Sequence, residues 1–311
     1  MHTGDFHITA NFIDAACRSH LNSATQRDRD LLANCDWTPC IGGRNNGVYS
    51  AQIETGRNCF KFYKSDGRLR PQREWASLHF LREREIDCAP EPFYCEEDPI
   101  ATLIVMEFFP GEHLGQRHLM PMQIEELARA VKAFHRIPYK KDAEWLGQLT
   151  ARYRVAGVAE FMQKTAATYR EQKRCYALWA RWLKGPNAQR VHDVGKMVFS
   201  RLDTNLSNML WDGERLRFVD WEYGGWMERL FDLAEQVEHD QSRCTPDAQW
   251  AHFIDLCELD RDQLENFRAA QQLVAFEWAA KFWSTVGVAS QSKFLRQIER
   301  IEQLCSTAVD P

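Results

Sequence analysis

The stretch Met197–Gly225, MVFSRLDTNLSNMLWDGERLRFVDWEYGG, is the most informative part of the chain. It predicts a strand, a polar loop, a second strand, a tight turn and a return strand. Asp212-Gly213 is a strong hairpin-turn signal between the apolar runs Met209–Trp211 and Leu216–Val219. A hairpin holds its two ends side by side, so residues before its first strand are expected to lie near those after its second.

Three oxygen-bearing side chains fall at those two ends. Asp203 and Asn208 precede the first strand, and Asp220 follows the second. Phosphoryl transfer requires a carboxylate that orients and deprotonates the attacking hydroxyl, and oxygen ligands that hold magnesium on the nucleotide phosphates. The spacing from Asp203 to Asn208 matches the D-x-x-x-x-N part of a kinase catalytic loop. The alternative is structural, because both residue types are common in turns and Asp220 would cap the next helix.

The composition is that of an ordinary soluble globular protein. The chain has 311 residues, 44% hydrophobic and 27% charged, enough for one large domain or two lobes. A net charge of -5 gives no reason to expect a nucleic-acid partner. No apolar run approaches the roughly 18 residues that cross a bilayer, and no basic-then-apolar signal begins the chain. We therefore expect a cytoplasmic protein without a membrane partner. Ten scattered cysteines without a C-x-x-C pair favour small buried hydrophobes over a metal site.

A glycine-containing loop precedes the first predicted strands. In GGRNNGVY, the small residues would let backbone amides approach a phosphate closely. An ordinary hairpin explains the same residues equally well. The candidate nucleotide contacts in this loop are Gly43, Asn46 and Gly47.

A lysine inside the next strand is a second nucleotide-binding signal. Lys61 stands between Phe60 and Phe62, and Glu74 lies in the first turn of a helix predicted over Arg73–Arg84. A strand lysine paired with a helix glutamate positions nucleotide phosphates in kinase-like enzymes. A solvated strand face is the structural alternative for the lysine, and Glu83 and Glu85 are lesser candidates for its partner.

The run TLIVMEFFPGEHL passes from a buried strand through Pro110-Gly111 into a helical region, which marks a plausible lobe boundary. Backbone groups of Glu107 to Phe109 are placed to bind the edge of an adenine, so Glu107 and Phe109 are candidate nucleotide contacts.

The rest of the chain is mostly helical. We predict helices over Pro121–His135 and over residues 151–184, the latter with a possible break at Gly157. Asp232, in the first turn of a helix over Arg229–His239, either caps that helix or anchors the catalytic loop. Near the C-terminus three residues form either an aromatic wall for a cationic substrate or an ordinary core stripe. They are Glu277, Trp278 and Trp283.

Taken in order, the glycine-containing loop, the strand lysine, the helix glutamate, VMEFFPGEHL, RLDTNLSN and VDWEYGG resemble the aminoglycoside phosphotransferase and choline kinase family. FVDWEYGG followed by FDLAE is particularly similar to the metal-binding segment and next helix of these small-molecule kinases. The resemblance implies an α+β, two-lobed protein-kinase-like fold. Residues 1–109 would form an N-terminal nucleotide-binding lobe with a small antiparallel sheet and leading helices over residues 1–34. Residues 110–311 would form a larger, mostly helical lobe that carries the catalytic hairpin and the substrate site.

The resemblance also implies roles for individual residues. Asp203 would be the catalytic base, Asn208 and Asp220 the magnesium ligands, and Lys61 the phosphate-binding residue with Glu74 as its partner. The implied cofactors are Mg²⁺ and ATP, with GTP left open.

One departure concerns the position two residues before the catalytic aspartate. The family commonly has a histidine there and this chain has Arg201, which is able to donate hydrogen bonds from the same place.

Glu222, two residues after the predicted metal ligand Asp220, is a further candidate substrate contact.

Two hypotheses follow. The first is an ATP-dependent phosphotransferase that acts on a hydroxyl of a small polar, amino-containing molecule such as an aminoglycoside or a choline- or ethanolamine-like metabolite. The second is a nucleotide-binding pseudokinase that serves as a regulatory or scaffold module. Arg201 and the loose glycine loop motivate the second hypothesis, whereas the presence of Asp203, Asn208 and Asp220 favours the first.

Overall fold

The structure is a computed structural model that describes residues 8–40, 46–54, 56–64, 66–97, 102–139, 155–192, 195–283 and 291–306. The chain divides into two compact units. Unit 1 contains the residues up to Leu114 together with Ser207–Gly224, and unit 2 contains Gly115–Leu206 together with the residues from Gly225 onward.

Unit 1 contains two antiparallel sheets and three helices among the described residues. Its elements are α1 (Ala10–His20), α2 (Gln26–Asn34), β1 (Thr38–Pro39), β2 (Gly47–Ile53), β3 (Gly56–Tyr63), α3 (Arg70–Arg82), β4 (Pro92–Glu96), β5 (Thr102–Glu107), β6 (Glu112–His113), β8 (Met209–Trp211) and β9 (Leu216–Phe218). The larger sheet has the strand order β1-β2-β3-β5-β4. The second sheet has the order β6-β8-β9 and contains the predicted hairpin.

The alternation of side chains along β3 explains how this sheet is packed. Phe60 and Phe62 are fully buried, and Phe12 of α1 packs on Phe60 with ring centroids 5.5 Å apart. Lys61, between them, therefore points to the other face of the sheet. There its ammonium group meets Glu74 of α3. The sheet thus separates an apolar core on one face from an ion pair on the other.

Unit 2 is mostly helical. Its only strands among the described residues are β7 (Met197–Ser200) and β10 (Gly225–Glu228), which pair antiparallel. Its helices are α4 (Pro121–His135), α5 (Val155–Lys164), α6 (Arg170–Trp182), α7 (Asn187–Arg190), α8 (Arg229–Glu238), α9 (Asp247–Leu256), α10 (Arg261–Phe282) and α11 (Gln291–Ser306). No helix of the described ranges is both long enough and apolar enough to cross a membrane.

The helix predicted over residues 151–184 is two helices, and Gly157 is not the break. Gly157 lies inside α5, and the chain leaves the helix only after Lys164. The side chain of Gln172 accepts hydrogen bonds from the backbone amides of Thr168 and Tyr169, at 2.9 and 3.1 Å. It thereby caps a new helix where apolar periodicity alone indicates continuation. Residues 151–154 lie outside the described ranges.

Two further boundaries differ from the predictions. The helix that carries Glu74 begins at Arg70 rather than Arg73, because Pro71 stands in its first turn, where the missing amide is not required. The predicted division at residue 109 placed the hairpin in the C-terminal lobe. The hairpin instead belongs to unit 1. Strand pairing explains this, since Glu112 pairs with Trp211 and the amide of Phe218 donates to the carbonyl of Cys88 at 2.8 Å.

Candidate functional site

In unit 1, a buried ion pair joins β3 to α3. Lys61 Nζ lies 2.5 Å from Glu74 Oε2, and the two side chains are 8% and 0% exposed. Glu74 also accepts hydrogen bonds from the hydroxyl of Tyr63 and, at 3.2 Å, from the backbone amide of Trp221. The carboxylate is therefore held by three donors, which fixes the position of the lysine that it contacts.

Asp220, directly after the hairpin, shares the same lysine. Its Oδ1 lies 2.6 Å from Lys61 Nζ. Burial by itself lowers the pKa of Lys61, but the carboxylates of Asp220 and Glu74 outweigh it and the pKa is raised above its ordinary value. Lys61 therefore remains an ammonium group at neutral pH, as a phosphate-binding residue must.

Glu222 completes a group of three carboxylates. Glu74, Asp220 and Glu222 each place one oxygen within 4.8 Å of the others. Burial, followed by the charge of Asp220, raises the pKa of Glu222. Arg70 Nη1 lies 3.5 Å from Glu222, and Asn46 Nδ2 donates to its other oxygen at 3.2 Å. Glu222 thus connects the helix start and the glycine loop to the cluster, and its contact with substrate stays a prediction.

The donor set of this cluster fits a magnesium ion. Magnesium prefers hard oxygen ligands and uses one or two protein carboxylates together with phosphate oxygens. Asp220 supplies a carboxylate that is 31% exposed, and Asn208 Nδ2 lies 3.5 Å from Asp220 Oδ2. The hairpin therefore brings the two predicted ligands together, as expected from its turn.

Asp203 belongs to unit 2, in the loop after β7. Its Oδ1 accepts a hydrogen bond from the amide of Asn205 at 3.1 Å, and the residue is half-buried. Leu202 immediately before it has a φ of 58°, a conformation that costs a non-glycine residue free energy. Asp220 in unit 1 has a φ of 66°. A left-handed backbone conformation thus lies next to the predicted base and at one predicted metal ligand, and such conformations are common at functional sites.

A buried network supports the loop that carries Asp203. Ser200 Oγ donates to Asp232 and accepts from the amide of Leu202 at 2.9 Å. Asp232 Oδ2 also lies 2.7 Å from Nε2 of His135, on α4. Asp232 therefore anchors the loop that carries Asp203 through Ser200, which corresponds to one of the two roles predicted for it. Arg201 is buried in the same loop.

The remaining predicted nucleotide contacts have varied surroundings. A Cβ on Gly47 would lie 2.5 Å from the ring of His20, so packing alone already demands a glycine there. The Glu107 side chain lines a cavity of about 450 Å³ that none of Lys61, Glu74 and Asp220 lines. Phe109 is buried beneath the guanidinium of Arg217, 4.9 Å from its ring centroid, which leaves only its backbone for a nucleotide. Gly43 lies outside the described residues.

The aromatic residues near the C-terminus do not form one open wall. Trp283 is 4% exposed and packs edge-on against Phe161 and Phe294. That placement matches the core-stripe alternative. Trp278 is half-buried, and Lys281 Nζ already lies 3.8 Å from its ring centroid. Glu277, the third residue of the predicted wall, is half-buried.

Sequence reasoning missed two residues of the unit 1 cluster. Arg70 stands four residues before Glu74 and therefore on the same helix face. Tyr63 stands two residues after Lys61 and therefore on the same strand face. Both are buried, at 3% and 2% exposure. The spacing of Arg70 from Glu74 and of Tyr63 from Lys61 is the sequence signal that indicates both residues.

Comparison with solved structures shows what this architecture is similar to. A choline/ethanolamine kinase family protein from Mesorhizobium loti aligns with 15% identity and a TM-score of 0.60 over 94% of each chain. A choline kinase from Cryptosporidium parvum aligns with 13% identity and a TM-score of 0.58 over 97% of each chain. The aminoglycoside phosphotransferase APH(4)-Ia aligns with 12% identity and a TM-score of 0.61, over 97% of this chain and all of the other. The fold is therefore the predicted α+β, protein-kinase-like one.

Sequence comparison then decides the family. Curated protein sequences give no significant match. The model of the family described as "Phosphotransferase enzyme family" matches residues 36–280, which is most of the chain. The predicted resemblance is thereby confirmed, and the non-enzymatic alternative gains no support. The chain belongs to the phosphotransferase enzyme family and is a kinase.

Proposed function

We propose that the protein transfers the γ-phosphoryl group of ATP to a hydroxyl group of a small amino-containing molecule. The observation that carries this proposal is the contact of Lys61 with both Glu74 and Asp220 in unit 1. A fixed ammonium group beside a partly exposed carboxylate is what a nucleoside triphosphate and its divalent ion require. Family membership supplies the reaction class.

Lys61 is the proposed ligand of the nucleotide phosphates. Its ammonium group carries three N–H donors, and two of them are directed to Glu74 and Asp220. Glu74 keeps the lysine in place, because its own position is fixed by Tyr63 and by the amide of Trp221.

Asp220 and Asn208 are the residues that would hold magnesium. When bound there, the ion neutralises charge on the phosphates during transfer. Neither residue needs to move far, because their side chains already lie together at the open end of the hairpin.

Asp203 is the proposed base. As the oxygen of the acceptor hydroxyl forms a bond to the γ-phosphorus, its proton passes to the Asp203 carboxylate. The bond between the γ-phosphorus and the oxygen that bridges it to the β-phosphorus breaks, and ADP leaves with that electron pair. Ser200 and Asp232 hold the loop in which this carboxylate lies.

The acceptor is expected to be a small cation. The net charge of -5 favours a positively charged partner. Solved relatives include a spectinomycin phosphotransferase and kinases of choline or ethanolamine. We therefore place the acceptor among aminoglycosides, amino alcohols and related metabolites.

Replacement of the base tests this proposal. We expect Asp203→Ala to lower turnover by about 10²- to 10⁴-fold, because general base catalysis is lost. The affinity for Mg-ATP, measured by calorimetry, should stay within experimental error of the parent. Asp255→Ala, an exposed aspartate on α9, is the matched control and should leave both quantities unchanged.

Activity would be measured as ADP release with a panel of amino alcohols and amino sugars. An Asp203→Ala variant as active as the parent would remove Asp203 from its role. Tight nucleotide binding without turnover across the whole panel would instead favour a regulatory module.

A further inference from the structure

In unit 2, Glu235 on α8 carries a buried carboxylate oxygen that lacks a partner. The residue is 2% exposed, and its Oε2 accepts no hydrogen bond from any residue that the structure describes. Leaving a buried carboxylate oxygen unpaired costs free energy, so such atoms are rare in native proteins and require an explanation. A donor that arrives with a ligand would supply one.

Glu235 is tied to the loop that carries the proposed base. Its backbone carbonyl accepts a hydrogen bond from Thr204 Oγ1 at 3.2 Å, and Thr204 directly follows Asp203. Thr204 is itself 5% exposed. The unpaired oxygen therefore belongs to a residue whose position is coupled to that of the base.

His239 stands one helical turn beyond Glu235 and donates its backbone amide to the Glu235 carbonyl at 3.0 Å. Burial lowers the pKa of His239, although the charges of Glu235 and Asp203 act in the opposite direction, so the ring is neutral at pH 7. Its Nδ1 accepts from the amide of Gln241 at 3.3 Å. The neutral ring therefore carries its proton on Nε2, where it is a hydrogen-bond donor.

Trp278 contacts the His239 ring, and the cation over its own ring is Lys281. The His239 ring meets it edge-on with centroids 4.8 Å apart, and Lys281 Nζ lies 3.8 Å from its centroid. A second cation over that ring would be repelled by the lysine. The indole Nε1 is buried and has no hydrogen-bond partner among the described residues. Recognition of a cation here therefore falls to Glu235.

We propose that Glu235 binds the ammonium group of the phosphoryl-accepting substrate and that His239 Nε2 donates a hydrogen bond to an oxygen of that substrate. A carboxylate oxygen that lacks a hydrogen bond needs an N–H donor, which a protonated primary or secondary amine has and a quaternary ammonium lacks. The acceptor class is thus a hydroxy compound with an N–H-bearing ammonium group. This inference rests on the proposed function, since it assigns the second substrate of that reaction.

Two matched substrate series test it on the full chain. The first runs from ethanolamine through its N-methyl and N,N-dimethyl derivatives to choline, which removes N–H donors while the hydroxyl stays. The second compares glucosamine with N-acetylglucosamine, which removes the charge. Parent, Glu235→Gln, His239→Phe and the control Glu299→Gln, an exposed residue of α11, would be compared for kcat, for KM of each acceptor and for the Kd of ATP.

We expect amines with N–H groups to be phosphorylated in preference to choline and to the acetylated sugar. Glu235→Gln should raise the KM for the best amine by about 10- to 100-fold, the loss expected for a hydrogen bond between charged groups. His239→Phe should raise it less, and the Kd of ATP should stay unchanged in both. The melting temperature of ligand-free Glu235→Gln should not fall, because Oε2 makes no hydrogen bond to described residues that the change could remove.

Each other result overturns the inference. Preference for choline or for uncharged acceptors, an unchanged KM in Glu235→Gln, or unfolding of that variant would each assign Glu235 a different role. A parent that binds ATP yet phosphorylates no amine of either series would also refute it while the nucleotide half of the proposed function stands. A parent that does not bind ATP would refute the proposed function itself, and the inference with it.

Discussion

Lys61 Nζ lies 2.6 Å from Asp220 Oδ1, so the proposed phosphate-binding lysine is paired with a proposed magnesium ligand. Glu74, at 2.5 Å, holds the same ammonium group from the other side. Phosphates and a divalent ion that enter this cluster would compete for both partners of the Lys61–Asp220 pair. Binding of nucleotide and binding of metal are therefore expected to depend on each other.

Removal of the Lys61 ammonium group tests the proposed phosphate-binding role of this residue. We expect Lys61→Met to lower kcat/KM for ATP by about 10²-fold or more, because a preorganised donor to the transferring phosphates is lost. It should also lower the free energy of unfolding by about 3–5 kcal/mol, since Glu74 is left buried without its cation. Steady-state kinetics and urea denaturation measure the two effects.

The exposed residue Lys64 provides the matched control, and Lys64→Met should behave as the parent does. A Lys61→Met protein with parental kinetics would show that Lys61 has only a structural role.

Replacement of the Asp220 carboxylate by an amide tests the other member of the pair, the proposed magnesium ligand. Mg²⁺ is expected to increase the nucleotide affinity of the parent. We expect this increase to be smaller in Asp220→Asn by a factor of at least about 10. Affinity in the presence of EDTA should change little, because Lys61 keeps Glu74. Calorimetry of ADP binding with Mg²⁺ and with EDTA gives both values. Equal Mg²⁺ dependence in Asp220→Asn and the parent would exclude Asp220 as a ligand, and Asp255→Asn is the control.

Local signals in the sequence were enough for much of this cluster. Asp212-Gly213 predicted the hairpin because the turn needs a residue with positive φ, and Gly213 has a φ of 106°. The turn then fixed the relative positions of Asn208 and Asp220. The pair of Lys61 and Glu74 was predicted from a lysine inside a strand and a glutamate in the first turn of the helix that follows.

Other features required tertiary information. The helix break before Arg170 depends on a side-chain cap by Gln172, which no glycine or proline marks in the sequence. The burial of Trp283 depends on which side of α10 faces α5 and α11, and aromatic spacing leaves that open. The unpaired oxygen of Glu235 can be recognised only after all its neighbours are placed.

Ser200 offers a test of how the catalytic loop is positioned. Ser200→Ala removes a donor to Asp232 and the acceptor of the strained Leu202 amide. We expect kcat to fall by about 10- to 100-fold, because a small displacement of Asp203 is costly for the reaction. KM for ATP should stay unchanged. Ser292→Ala, at an exposed position of α11, is the control, and a parental kcat in Ser200→Ala would contradict this role.

A buried charge network stabilises unit 2. Glu238 is fully buried and accepts from Arg300 Nη2 at 2.7 Å and from Gln271 Nε2 at 2.7 Å. Glu238→Ala should lower the free energy of unfolding by about 3–5 kcal/mol, because Arg300 is left buried without this partner.

The double variant Glu238→Met, Arg300→Met should recover part of that loss, since apolar residues of similar volume replace both charges. Chemical denaturation of the single and double variants measures the coupling. If the double variant loses the sum of the single effects, the two side chains are not coupled.

The last prediction concerns the pH dependence of stability. The His20 ring stacks on Phe62, with centroids 4.4 Å apart and an interplanar angle of 10°, and burial lowers the pKa of His20 below its ordinary 6.5. The unfolded chain therefore binds a proton at a higher pH than the folded protein does. Stability from this group is complete above about pH 6.5 and is lost as the pH falls toward the lowered pKa of the folded state. His20→Phe keeps the aromatic stack and removes the titration. We expect the urea midpoint of this variant to match the parent near pH 7.5 and to exceed it near pH 5, whereas His252→Phe at an exposed site should follow the parent at both. If the urea midpoint of His20→Phe changed with pH as that of the parent does, the ring of His20 would not be the group that titrates.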